Sequence, residues 1–101
     1  MNDEMKSELT KALGEAGELC EISGYTKQAQ WFRDRIQMVQ QFDHTQLPDV
    51  LKEIKGMLAG MGSFSDLPLS PSPDSGMTRE QARHRQWDLV TEIDAAIEKM
   101  N

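Results

Sequence analysis

The stretch GMGSFSDLPLSPSPDSG, residues 60–76, holds all but one of the chain's four prolines. Its reading as a binding loop, a catalytic loop or a connection decides how the rest folds. Gly60 and Gly62 close an apolar helical pattern and no lysine follows them, whereas phosphate cradles place their glycines between a strand and a helix with a lysine or a third glycine at fixed spacing. G-M-G-S-F also departs from G-x-S-x-G, in which the nucleophilic serine sits between the glycines. A connection is the favoured reading. Phe64, Leu67 and Leu69 are expected to dock its first half on the core, with Ser65 or Asp66 bonding nearby backbone amides. The second half, PLSPSPDSG, reads as a stiff, exposed tether.

Working outward, Leu51, Ile54, Met57, Leu58 and Met61 recur at helical spacing upstream, with Pro48 tolerated in the first turn. Downstream, Thr78 and Gln81 form a T-x-x-Q capping box ahead of Ala82, Gln86, Leu89, Val90, Ile93, Ala96, Ile97 and Met100. Nearer the start, Met5, Leu9, Ala12, Leu13, Ala16, Leu19 and Cys20 trace another apolar stripe, and Gly24 follows as a helix-ending residue. Between them, Thr26 is read as the cap of a helix whose core positions are Ala29, Phe32, Ile36 and Val39, with Tyr25 entering at its start. Trp31, Met38 and Phe42 flank that stripe beside Arg35. The spacing therefore predicts helices over about 3–23, 26–42, 48–59 and 78–100 with a loop over 60–77. The fold class is all-α, a compact four-helix bundle formed by residues 1–101 as a single domain, with a long loop before the last helix. Strand signals are missing.

The totals narrow the chemistry. A formal net charge of −6 disfavours a phosphate backbone and favours approach to a basic surface. Nucleic acid is thus not an expected partner, and a basic protein is. The single cysteine, Cys20, falls on an apolar helical face and reads as a buried, inert thiol. MNDEMKSELTK, with its mixed charges and no apolar run, does not resemble a signal peptide, and no stretch reaches membrane-span length. A cytoplasmic location is expected, with no membrane partner.

His44 and His84 lack the spacing and the cysteine partners of a zinc site, and the residues supply no catalytic, cofactor or metal set. The chain is expected not to be an enzyme. Glu4, Glu8, Glu15 and Glu18 cluster opposite the first helix's apolar stripe, an acidic face that is either solvated or able to fill a basic cleft. Arg79, Arg83 and Arg85 crowd the start of the last helix with His84, where Glu80, Asp88 and Glu92 are expected to neutralise them. Trp87 lies off the main stripe, at a core edge or as an interface anchor.

Gly60-Met61-Gly62-Ser63-Phe64-Ser65-Asp66-Leu67, with Tyr25-Thr26-Lys27-Gln28-Ala29-Gln30-Trp31-Phe32 upstream, resembles a family of small uncharacterised bacterial proteins. These carry G-M-G-S-F-N-D-L after a leucine-rich helix and a W-A-x-W-L-like segment before it. The similarity runs from about Leu9 to Ile97; here Ser65 replaces the usual asparagine, and a Pro-Ser insertion after Leu69 lengthens the connection. That family is similar in size and charge to immunity proteins encoded beside polymorphic or Rhs-type toxins. The resemblance implies an antitoxin-like immunity protein that binds and neutralises a cognate bacterial toxin domain by occluding its active site. Glu15, Glu18, Trp31, Phe64, Asp66 and Trp87 are the candidate partner-binding residues. The alternatives are a general helical protein–protein interaction or regulatory module, and a small-ligand binder using the GMGSF turn.

Overall fold

A computed structural model describes residues 3–41, 45–58 and 64–100. The expected roles of Phe42, His44, Gly60, Met61, Gly62 and Ser63 fall outside the described residues. The fold is an all-α four-helix bundle: α1 (Asp3–Ile22), α2 (Thr26–Gln41), α3 (Leu47–Leu58) and α4 (Arg79–Met100), with single 3₁₀ turns at Phe64–Asp66 and Pro73–Ser75. Among the described residues there is no strand, and no helix is long and apolar enough to cross a membrane.

α1 exists because its stripe has somewhere to go. Leu9, Leu13, Ala16 and Cys20 are fully buried, with Ala12 and Leu19 nearly so. It ends as its glycine dictates: Gly24 takes φ 87°, a conformation costly for any side chain bearing a Cβ. The N–H groups of Gly24 and Tyr25 then turn back to the carbonyls of Glu21 (3.1 Å) and Cys20 (2.8 Å). This is a Schellman closure, which satisfies carbonyls that the end of the helix would otherwise leave open.

Tyr25 serves the next helix as well, because its carbonyl accepts the Ala29 N–H at 3.0 Å. The cap of α2 is therefore Tyr25, and Thr26, expected in that place, is the first helical residue. The closure of α1 leaves no spare residue between the two helices, so the turn that ends one begins the other. α2 buries Ala29, Phe32 and Val39. Gly17 permits the close crossing of α1 and α2, since a Cβ there would lie 3.3 Å from Phe32 Cβ and 3.5 Å from the Ala29 carbonyl oxygen.

α3 starts one residue earlier than its spacing predicts because Leu47 is itself core, alongside Val50, Leu51, Ile54 and Leu58. The capping box of α4 forms reciprocally: Thr78 N–H donates to Gln81 Oε1 (2.9 Å) and Gln81 N–H to Thr78 Oγ1 (3.0 Å). α1 packs chiefly on α2 and α4, while α3 bridges α2 and α4.

The tether is largely exposed, as expected, but it is tied to the helices. Leu69 is buried, Ser72 N–H donates to the Ile22 carbonyl at 2.9 Å, and Tyr25 Oη–H donates to the Pro68 carbonyl at 3.0 Å. The end of α1 and the Tyr25 corner offer polar groups, and the connection supplies partners for them. The second 3₁₀ turn closes on Gly76 at φ 74° and delivers the chain to α4.

Cys20 sits in this core as expected, and burial pushes its thiol up to about 12. Since the thiolate is the reactive species, Cys20 should resist a thiol reagent such as DTNB in the native protein at pH 8. It should react fully once denatured. Stoichiometric labelling of the folded chain would contradict this burial.

Candidate functional site

The described surface carries one large exposed apolar side chain, Trp87, at 58% exposure. Monomeric surfaces tolerate scattered apolar atoms, but an indole left out of a bundle this small asks for an explanation. It borders a groove of about 870 Å³ between α4 and the connection. α4 contributes Arg79, Arg83 and Trp87, and the facing wall contributes Asp66, Leu67 and Ser70.

That wall is held by a residue whose type belies its position. Gln86 occupies an apolar place on the α4 stripe and is 4% exposed, the one buried polar side chain among the described residues. Its Nε2 donates to the carbonyls of Phe64 (2.6 Å) and Leu67 (2.9 Å). A polar group buried so deeply is tolerable only when bonded, and here one amide satisfies two carbonyls of the turn. Beneath the turn, the Phe64 ring meets Phe32 edge-on at 5.3 Å, and Phe32 meets Trp31 likewise at 5.2 Å. The connection runs antiparallel to α4, for Phe64 and Leu67 lie by Gln86 whereas Ser70 Oγ accepts from Arg79 Nη2 at 3.5 Å.

The charges sort only in part by their spacing along α4. Arg85 pairs with Glu15 of α1 through Nε (2.8 Å) and Nη2, and its Nη1 reaches Glu92 at 3.0 Å. The Glu15 hydrogen bond raises the Arg85 pKa further above its ordinary value. Arg33 pairs with Glu21 and Arg35 with Glu53. Arg79 and Arg83, expected to be neutralised by Glu80 and Asp88, have no ion pair among the described residues, and both are exposed. The acidic face of α1 is likewise divided: Glu15 is committed to Arg85 and Glu8 lies 3.7 Å from Lys99, both on α4. These contacts pin α1 to α4.

Of the residues singled out from sequence, only Asp66 and Trp87 come together, at the groove. Glu15 is held within the molecule, and Glu18 is exposed over the α1–α2 seam. Trp31 is half-buried under the Arg35 guanidinium, 4.6 Å from its ring centroid, and Arg35 in turn pairs with Glu53 of α3. Phe64 is 1% exposed and cannot present itself to a partner; it supports the wall from inside. Sequence reasoning missed Gln86 as the holder of that wall. The signal was an amide at a position whose helical neighbours Ala82, Leu89 and Ile93 are all apolar. No group of three or more His, Cys, Asp or Glu side chains among the described residues is placed to hold a metal ion.

These features define a small all-helical protein whose distinctive surface is an open groove with an aromatic edge. The chain belongs to the family described as a domain of unknown function (DUF6966), whose model matches residues 21–77. Comparison with curated proteins and with solved structures returns no match. The matched span takes in α2, α3 and the wall of the groove, and stops short of Arg79, Arg83 and Trp87 on α4.

Proposed function

We propose that the chain is an immunity protein, which binds one cognate bacterial toxin domain in the cytoplasm and blocks its active site without chemistry of its own. The observation that carries this reading is Trp87, a 58% exposed indole at the lip of the groove. Tryptophan anchors supply much of the energy of protein interfaces while adding little to the fold when they stand in solvent. The resemblance of the GMGSFSDL and YTKQAQWF segments to proteins similar to toxin-linked immunity proteins supplies the kind of partner. The net charge of −6 supplies long-range attraction to a toxin with a basic surface.

Co-expression with the toxin domain encoded beside it tests the reading. Wild-type protein should rescue growth and co-purify with the toxin. Trp87→Ala should weaken that complex by about 2 kcal/mol or more, roughly 30-fold in affinity, and leave the melting temperature within a degree or two. Failure of the wild-type chain both to rescue and to form a complex would end the proposal.

A further inference from the structure

Arg33, Arg35 and Arg85 each have a carboxylate from elsewhere in the chain, whereas Arg79 and Arg83 have none among the described residues. Both unmatched guanidinium groups line the groove that also holds the exposed indole. Two guanidinium groups without a carboxylate and an exposed apolar surface in one groove specify an occupant that carries carboxylates and an apolar side chain together.

Their spacing specifies more. Arg79, Arg83 and Trp87 follow one another at four-residue steps along α4, so they form a line with about 6 Å between neighbours. Side chains on one face of an extended peptide recur every second residue, at about 6.6–6.8 Å. The two repeats match over three positions. We infer that the groove takes an extended acidic segment of the protein partner with the pattern apolar-x-acid-x-acid, its apolar side chain on Trp87 and its carboxylates on Arg83 and Arg79. Asp66 and Glu80 also border the groove. They repel a carboxylate out of register with the arginines, so the order of charges matters as much as their number. The attraction of the whole acidic protein for a basic partner acts over a longer range, and this local recognition fixes where the partner docks.

The inference rests on the reading of the groove as the partner's docking surface, and its test separates the two. Fluorescein-labelled peptides with the core Leu-Ser-Glu-Ser-Glu, the same core with glutamine for glutamate, and the shifted core Leu-Glu-Ser-Ser-Glu are titrated with the full chain at low salt by fluorescence anisotropy. The first should bind at least tenfold more tightly than either of the others. Arg79→Gln, Arg83→Gln and Trp87→Ala should each weaken it about tenfold, while Arg33→Gln, on another face, leaves it unchanged. Melting temperatures of these surface variants verify the fold. Equal affinity for the three peptides, no measurable binding of the first, or stronger binding of an oligouridylate at the same salt would overturn the inference. A toxin complex formed without peptide recognition would remove the inference alone, and peptide recognition without a toxin complex would remove the immunity role alone.

Discussion

Phe64→Ala is expected to lower the stability of the protein by about 3–5 kcal/mol, the usual cost of truncating a buried phenylalanine. The ring is 1% exposed and packs edge-on against Phe32 at 5.3 Å. Its turn touches both α3 and α4, so the void would open where the connection, the third helix and the fourth helix meet. A small domain has a total stability of about 5–15 kcal/mol, and a loss of this size removes much of it. Each kcal/mol corresponds to about 4–8 °C in melting temperature at this length. Urea unfolding followed by circular dichroism at 222 nm measures the loss directly. A change below about 1 kcal/mol would mean that the turn is not anchored where the packing puts it.

Gln86→Leu is expected to cost about 1–3 kcal/mol for a different reason. Leucine keeps most of the volume and suits the stripe, so the cavity contribution is small. What is lost is the donor to the carbonyls of Phe64 and Leu67, at 2.6 and 2.9 Å. The Phe64 carbonyl keeps the Leu67 N–H, so the Leu67 carbonyl is the acceptor left without a donor, at a cost of about 1–3 kcal/mol. The same unfolding measurement gives the magnitude. Hydrogen exchange gives the location, since the Leu67 N–H, bonded to the Phe64 carbonyl at 3.3 Å, should exchange faster once the turn loosens. Stability within about 0.5 kcal/mol of the parent would show that the amide is dispensable.

The four helices were legible because each buries one continuous stripe, and a stripe is a property of local spacing. The Leu9-to-Cys20 pattern, Gly24 and the Thr78–Gln81 box all lie within a few residues of what they control. Contacts between distant segments were not legible. Pairing within α4 assigns Arg85 to Glu92, which it meets, yet Glu15, seventy positions away, takes it as well, and Arg79 and Arg83 have no ion pair among the described residues. The proline-rich segment read as a stiff, exposed tether because stiffness is a local property, whereas its docking depends on polar groups of the distant α1–α2 corner. Trp87 was visible as an indole off the stripe, but that it shares a groove with Asp66 follows only from the antiparallel course of the connection.

Tyr25 links these scales, and it is the chain's one tyrosine. Its hydroxyl holds the Pro68 carbonyl behind the groove wall. Biosynthetic incorporation of 3-fluorotyrosine therefore places a single ¹⁹F nucleus at the seam between the helical body and that wall. One resonance then reports whether the wall is seated, in the free protein and beside any partner, with no other signal to assign.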